Sequence, residues 1–377
     1  LTRGFCIHIS QAYGKKDYHL VNRGFFVASV LSLIVGTMIS IVGSLAIRDF
    51  LILMHTPGEI LEQSLDYIKV ILLGFVITVL NNLFMSVLQS LGDSSTPFWA
   101  LLVSSATNVG LDCVFVLLLK WGVQGAAAAT VLSQVFSLAI CAAGLKRLKF
   151  VSILDGSKSK NARLTVRMLK TGLPVGIMSM VTAVGGMILQ FFVNNLGASA
   201  VAAYAASTKI RSVIGEFSNA LGMTFMTFVG QNYGAQKYDR IKAGVRMGVL
   251  LSILIHIPLS AVEIFGGKRI ASLMVTDPPV LELCRQYLLI VGIFVFFLGF
   301  LMVFRNCIQG MGNTWIPMLS GGLEVISRLI FGYWLGRHSF MGIAAAEASA
   351  WISVSIMLGS SFFILFRKVL RTQTSEK

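Results

Sequence analysis

Long uncharged apolar stretches limit what this chain can fold into more than any other feature of its sequence. One of them, GFFVASVLSLIVGTMISIVGSLAI at residues 24–47, has no charged side chain in 24 residues. About 20 apolar residues cross a bilayer as a helix, which satisfies its own backbone hydrogen bonds there. Only 12% of the 377 residues are charged, against roughly 25% in soluble proteins. We therefore predict an all-α polytopic membrane protein.

Eleven hydrophobic segments follow one another along the chain, and the first is too short to span a membrane. They lie at residues 1–12, 24–47, 70–91, 97–119, 124–145, 171–194, 199–229, 244–264, 286–309, 317–336 and 341–366. A basic polar stretch separates the fifth segment from the sixth. The predicted domains are therefore an N-terminal transmembrane bundle at 1–148, a cytoplasmic linker at 149–170, a C-terminal bundle at 171–366 and a basic cytoplasmic tail at 367–377.

A short polar phrase occurs twice in the chain, 220 residues apart. QAYGKKDY at residues 11–18 returns as QNYGAQKY at 231–238, and the same register still aligns Pro97 with Pro317. After a three-residue shift, Gly125 aligns with Gly342. We interpret the chain as a tandem duplication of six-helix bundles in parallel orientation. The second copy begins near Thr171, so we expect an N-terminally truncated first bundle, without its first helix and part of its second.

Basic residues indicate which side of the membrane each loop faces. The net charge is +15, and one set of alternate connections holds eighteen Lys and Arg against seven in the other set. Because Lys and Arg favour the cytoplasmic side, we place the first set, with both copies of the repeated phrase, in the cytoplasm. We attribute the excess charge to contact with anionic membrane lipid and expect no binding of nucleic acid.

Motifs for enzymatic chemistry are absent from the sequence. It contains no P-loop, dinucleotide-binding turn, HExxH motif or Cys/His spacing typical of a metal site. We therefore expect no enzyme activity and no cofactor, while the binding of a metal ion stays open. Any transport work must then draw on an ion gradient or on a partner.

Ionisable residues inside apolar segments are the candidate functional residues, because they are costly in a bilayer. Glu324 and Arg328 lie four residues apart on one helix face, and Glu347 follows in the last segment. The first half has Asn108 where the second has Arg328, with Asp112 one turn further on. The Glu–Arg pair has two open interpretations, a cation or substrate site, or an ion pair that holds the second bundle together.

Further charges lie in and near other segments. Lys209 and Glu216 are seven residues apart on segment 199–229. They indicate either a water-facing cavity or a helix whose outer half projects into solvent, and we favour the cavity. Glu263 and Arg305 lie near segment ends, and we interpret them as reaching the membrane interface.

Several phrases together resemble the multidrug and toxic compound extrusion (MATE) family, in the form found in bacteria. They are QAYGKKDY, LQSLGDSSTP, NVGLDCVFV, GVQGAAAATVLSQ, GLPVGIMSM, VNNLGASAVAAYAASTKI, FVGQNYGAQ and IQGMGNTWIPM. The resemblance implies a V-shaped pair of six-helix bundles that exports organic, often cationic compounds in exchange for Na⁺ or H⁺. It also implies a key acid in the first helix, which this chain does not contain. Glu324 and Glu347 are similar to glutamates common in bacterial members.

Two functions are consistent with the sequence. The first is an ion-coupled exporter of small organic molecules, acting as a monomer in the bacterial inner membrane. The alternative is a flippase of the same superfamily that moves lipid or lipid-linked oligosaccharide. Four basic residues keep the alternative open: Lys209, Arg211, Arg305 and Arg328.

Overall fold

The computed structural model describes residues 1–53, 57–152 and 161–374, and these form helices without a strand. In that part of the chain the α-helices are α1 Thr2–Gly14, α2 Tyr18–Leu53, α3 Gly58–Leu73, α4 Phe75–Ser90, α5 Ser95–Asp112, α6 Gly122–Arg147, α7 Ala162–Asn194, α8 Ala198–Gly234, α9 Tyr238–Ala261, α10 Gly267–Ala271, α11 Pro278–Gly310, α12 Trp315–Phe331 and α13 Phe340–Thr374. Three π-helical turns continue α5, α9 and α12: Cys113–Leu118, Val262–Gly266 and Gly332–Gly336.

The chain divides into two compact units. One comprises Thr2–Leu169, and the other comprises Lys170–Lys377 together with Leu1. In the second unit, α11 lies at the centre and packs against α8, α9 and α13. The buried side chains of this unit form one apolar core that includes Tyr287, Leu288 and Trp351. The polar groups described below are embedded in that core.

Many of the described helices are long enough to span a membrane. Seven helical runs are long and apolar enough to cross a bilayer, and the bent pair α3 and α4 would make an eighth. Each of the eleven predicted segments lies within helix to within two residues. Of the other helices, α1 has 13 residues, α12 has 17, and α8 is long but carries three charges. The chain is therefore an all-α membrane protein.

The third predicted segment, 70–91, contains a bend. Helices α3 and α4 meet at Gly74 with an angle of 48° between them. A Cβ atom at Gly74 would collide with the side chain of Val131 on α6. Glycine therefore allows α6 to approach the bend closely, which hydropathy alone does not indicate.

The repeated phrase forms the same turn in both units. Lys16 and Gln236, which are 220 residues apart, both adopt positive φ, at 62° and 56°. The following backbone N–H donates five residues back in each turn, Asp17 to Ala12 at 3.1 Å and Lys237 to Asn232 at 2.8 Å. The phrase thus ends one helix in a left-handed residue and starts the next. Its recurrence is what a tandem duplication predicts.

A second turn also recurs at the same spacing. Gly92 and Gly312 have φ of 93° and 91°, which glycine adopts without strain. Asp93 Oδ1 then accepts the backbone N–H of Thr96 at 3.0 Å, as Asn313 Oδ1 accepts that of Ile316 at 3.2 Å. These side chains cap the first turns of α5 and α12.

The predicted linker and tail are partly helical. Helix α7 begins at Ala162, inside the predicted linker 149–170, where the backbone N–H of Thr165 donates to the Asn161 carbonyl at 2.9 Å. Helix α13 continues to Thr374, inside the predicted tail 367–377. Residues 153–160 of the linker and 375–377 of the tail lie outside the described part of the chain.

Candidate functional site

Charged side chains from four helices meet in the core of the second unit. We call this group the buried ion cluster. Its members are Arg211 on α8, Tyr287 and Arg305 on α11, Glu324 and Arg328 on α12, and Glu347 on α13. Arg211 keeps 23% of its side chain exposed, whereas the other charged members keep 6% or less. Helix packing thus joins residues that are up to 136 positions apart, Arg211 and Glu347.

Glu324 is held by two arginines. Its Oε1 lies 2.9 Å from Nη2 of Arg328, one turn further along α12, and its Oε2 lies 3.2 Å from Nη2 of Arg305 on α11. Both carboxylate oxygens are therefore compensated by positive charge. Full compensation is what makes a buried carboxylate tolerable in an apolar core.

Glu347 joins the other half of the buried ion cluster. Its Oε1 lies 3.0 Å from Nη1 of Arg211 and 3.7 Å from Nη2 of Arg328. Its Oε2 accepts a hydrogen bond from the hydroxyl of Tyr287. Arg328 consequently bridges Glu324 and Glu347, so that α8, α11, α12 and α13 are linked through one network.

Helix α7 approaches this network through its backbone. The Thr182 carbonyl accepts a hydrogen bond from Nη1 of Arg328 at 3.4 Å. A Cβ atom at Gly185 would lie 2.6 Å from that same Nη1. Segment 171–194 contributes no acid to the network. Gly185 in this segment leaves the space that Arg328 occupies.

The structure contradicts the interpretation of Glu263 and Arg305 that was based on the sequence. Both were expected to reach the membrane interface, but Glu263 is 1% exposed and Arg305 is 5% exposed. Both oxygens of Glu263 are buried without a hydrogen-bond donor among the described residues. The interface interpretation is wrong, because distance from the end of a helix does not show whether neighbouring helices cover that end.

A second, smaller polar group lies in the first unit. Asn108 Nδ2 on α5 lies 3.5 Å from Oγ1 of Thr130 on α6, and that hydroxyl donates to the Ala126 carbonyl at 3.0 Å. Asp112, one turn beyond Asn108, has its Oδ1 buried without a donor among the described residues. We call Asn108, Asp112 and Thr130 the first-unit polar group.

Two members of the first-unit polar group occupy the places of two members of the buried ion cluster in the predicted repeat. Asn108 aligns with Arg328, and after the three-residue shift Thr130 aligns with Glu347. The two pairs also lie at similar separations, 3.5 Å and 3.7 Å. One place in the bundle thus holds neutral groups in the first unit and opposite charges in the second.

Lys209 and Glu216 lie apart from both groups. Each is on an exposed face of α8, and Glu216 Oε2 has only a long contact of 3.4 Å from Asn219 Nδ2. They are not brought together with Glu324, Arg328 and Glu347. Whether they line a water-filled cavity stays a prediction.

Arg211, Arg305, Glu263 and Tyr287 were not among the predicted ion-site residues. The usable signal was their charge or hydroxyl inside an apolar segment, but the identity of their partners depends on helix packing. The described residues contain no group of three His, Cys, Asp or Glu side chains placed to hold a metal ion.

Comparison with known proteins shows that this chain is similar to transporters. The sequence model of the family described as MatE matches residues 1–114 and 174–334. A "Probable multidrug resistance protein YoeA" of Bacillus subtilis is 25% identical over 379 residues, covering 97% of this chain and 82% of the relative. The "Multidrug export protein MepA" of Staphylococcus aureus is 24% identical over 392 residues, covering 98% of this chain and 82% of the relative.

A solved structure shows the same fold. The crystal structure of a MATE protein in the bent conformation superposes with a TM-score of 0.91 at 21% identity. The match covers 99% of this chain and 84% of that one. The helical architecture described above is therefore that of the solved MATE structures.

Proposed function

Because the chain belongs to the MatE family, we propose that it is a secondary active exporter of organic, often cationic or amphipathic compounds. Like its relatives it is a membrane transporter and not an enzyme. The proposed driving force is antiport with sodium ions or protons, and no cofactor is required. The names of its relatives as multidrug resistance and export proteins support a broad range of small organic substrates.

The observation that carries ion coupling is one oxygen of Asp112, Oδ1, which is buried without a donor among the described residues. A buried carboxylate oxygen without a donor is costly, so it favours binding of a cation. The Asn108 side-chain carbonyl, one turn earlier on α5, and the Thr130 hydroxyl on α6 supply further oxygen atoms that suit either ion. We assign the first-unit polar group as the coupling-ion site.

The buried ion cluster supports a different role for Glu324 and Arg328. Glu324 has both oxygens occupied by arginine, which leaves no free ligand for a cation. Of the two interpretations of this pair, we propose the structural one, in which it helps to hold the second unit together. Glu324 links α12 to α11 through Arg305. Arg328 links α12 to α13 through Glu347, which has more partners than Glu324.

The proposed transport cycle is alternating access. An ion that binds one conformation more tightly than the other shifts the equilibrium between inward-open and outward-open states. An organic compound bound in the inward-open state is then released outside. We propose that this occurs in the bacterial inner membrane, with the chain acting as a monomer.

The flippase alternative gains no support. It depends on basic residues that are free to bind lipid phosphate, but Arg211, Arg305 and Arg328 are each paired with a glutamate in the buried ion cluster. Of the four residues that kept it open, only Lys209 lies outside that cluster. The two compared relatives are named for multidrug resistance and multidrug export.

Transport assays test this proposal. The chain in its natural sequence context is reconstituted in liposomes, and efflux of ethidium, an organic cation, is followed after a sodium or proton gradient is imposed. We expect gradient-dependent efflux that Asp112→Asn abolishes, because asparagine cannot bind a proton or carry the charge that holds a cation. Asp49→Asn, an exposed acid on α2 of the same unit, should leave efflux unchanged. Equal efflux with and without either gradient would rule out ion coupling.

A further inference from the structure

Glu263 is an acid that the proposed coupling site does not use. It is buried in the second unit in the π-helical turn Val262–Gly266, and neither of its oxygens has a hydrogen-bond donor among the described residues. An ionised carboxylate in that position would lack both water and a directly bound cation. The neutral acid is far less costly there. The surroundings of Glu263 in this conformation therefore favour its protonated form.

The π-helical turn that carries Glu263 has no counterpart in the first unit. The turns at Cys113–Leu118 and Gly332–Gly336 follow α5 and α12, which align in the predicted repeat. In contrast, residues 42–46, which align with the Glu263 turn, lie within the continuous helix α2. Gly43 takes the place of Glu263 there. The acid and its π-helical turn are therefore specific to the second unit, and π-helical turns often occur at functional sites.

Arg211 is the positively charged side chain that interacts with Glu263. It interacts electrostatically with both Glu263 and Glu347, and its Nη1 is bonded to Glu347. Its Nε is a buried donor without an acceptor among the described residues. Because its side chain is 23% exposed, Arg211 is the least confined of the three cluster arginines. Arg211 therefore has an unused donor with which it could bind a second acid.

Glu347 can lose Arg211 and remain compensated. It keeps the hydroxyl of Tyr287 on Oε2 and Arg328 at 3.7 Å from Oε1. Glu263 has no such reserve. The two carboxylates thus compete for one arginine, and only Glu347 has other partners to fall back on.

The other titratable groups around Glu263 are already occupied. Tyr204 on α8 and Tyr287 on α11 surround Arg211 and Glu347. On the same helical run, His256 is bonded to Ser218 and Ser252, and Lys268 is paired with Glu282 at the surface. No second cation among the described residues therefore takes the place of Arg211.

Protonation of Glu263 changes the net charge of the group that it forms with the buried ion cluster. With Glu263 ionised, three glutamates balance Arg211, Arg305 and Arg328, and the combined group is neutral. With Glu263 protonated, the same group carries one positive charge. Proton binding at Glu263 therefore changes the electrostatics of the second unit by one full charge.

We infer that Glu263 is a proton-binding site of the second unit, which takes up a proton when Arg211 pairs with Glu347 and releases it when Arg211 turns to Glu263. The proton is taken from water and returned to water, and the carboxyl O–H bond is the only covalent bond that forms and breaks. This inference rests on the proposed ion-coupled transport and adds a second titrating acid to it. The first-unit polar group remains the coupling site in the first unit.

Infrared difference spectroscopy tests the site without requiring transport. Spectra of the purified protein are recorded over a pH series, and the C=O stretching band of a buried protonated carboxyl group is followed. We expect wild type to show the band and Glu263→Gln to lose it, since glutamine keeps the shape of the neutral acid without the proton. The matched control is Glu282→Gln, an acid of the same unit paired with Arg285 at the surface, and it should keep the band.

Two further variants protect the test from a folding failure. Glu263→Asp should retain a protonated-carboxyl band at a shifted frequency. Arg211→Gln should retain the wild-type band to higher pH, because the ionised form of Glu263 loses its counter-charge. A band that persists unchanged in Glu263→Gln, or no band in wild type, would overturn the inference. Loss of the wild-type band on adding Na⁺ at constant pH would also overturn it, in favour of a cation site.

Transport assays separate this inference from the proposed function. If wild type transports without any ion gradient, ion coupling is wrong whatever the infrared result. If wild type is ion-coupled, Glu263→Gln should flatten the dependence of efflux on external pH relative to Glu282→Gln. An unchanged pH profile in Glu263→Gln would overturn the role of Glu263 in the cycle and leave ion coupling intact.

Discussion

At the residue scale, the chain manages buried charge by sharing it. Glu324 binds Arg305 and Arg328, and Arg328 also approaches Glu347. Arg305 and Arg211 each pair with a single acid. Replacing such a network by apolar residues can be neutral, but removing one partner leaves an uncompensated buried charge. The cluster is therefore sensitive to single substitutions.

Glu324→Gln should destabilise the second unit strongly. The substitution leaves Arg305 without its acid, and the expected loss is about 3–5 kcal/mol of the free energy of unfolding. Denaturant titration of the purified protein in detergent measures it. Glu282→Gln breaks a surface pair with Arg285 and should have almost no effect. Equal stability of the two variants would show that the Glu324 network does not stabilise the fold.

At the element scale, neighbouring glycines on α7 have different surroundings. A Cβ atom at Gly185 would lie 2.6 Å from Nη1 of Arg328, while one at Gly186 would meet nothing within 4 Å. Only Gly185 is therefore required for the close approach of α7 to α12. Gly186 has no such contact, and like other glycines in a helix interior it lowers the stability of the helix relative to alanine.

Alanine substitution at these two positions should give opposite results. Gly185→Ala should lower the free energy of unfolding by about 1–3 kcal/mol, because the added methyl group overpacks against Arg328. Gly186→Ala should raise it by roughly 0.5–1 kcal/mol, as expected for removing a helical glycine. The same denaturant titration measures both. A loss of stability in Gly186→Ala as large as that in Gly185→Ala would contradict the assigned packing.

At the scale of the whole molecule, we expect the loops to alternate across the membrane according to their charge. The turns that contain Lys15 and Lys237 are exposed and belong to the basic set of connections, whereas Asn195 is exposed in a turn of the other set. The repeated turn geometry gives Lys15 and Lys237 the same setting in both units. We therefore expect them on the same side of the membrane.

Cysteine labelling in intact cells tests this topology. Exposed Cys113 is first replaced by serine, and single cysteines are introduced as Lys15→Cys, Lys237→Cys and Asn195→Cys. A membrane-impermeant maleimide should label Asn195→Cys in intact cells and the other two only after permeabilisation. Labelling of Lys15→Cys and Lys237→Cys on opposite sides would contradict the parallel orientation of the repeats.

Much of the fold could be predicted from the sequence because hydropathy and turn residues act locally. The eleven apolar segments are helical, and the turn of the repeated phrase recurs after 220 residues. The bend at Gly74 could not be predicted, since it depends on Val131 of α6 coming close. The site was partly predicted: Glu324, Arg328 and Glu347 lie together, whereas Lys209 and Glu216 lie elsewhere.

The sequence by itself determined that this chain is helical, spans a membrane and repeats its turns, because apolar length and loop charge set the cost of each segment in lipid. Only the tertiary structure decided which charges are paired. Glu324 and Glu263 are both acids in apolar segments, but one meets two arginines and the other meets no donor among the described residues. That difference arises from contacts between helices distant in the sequence, where the energy of a charge depends on its partner.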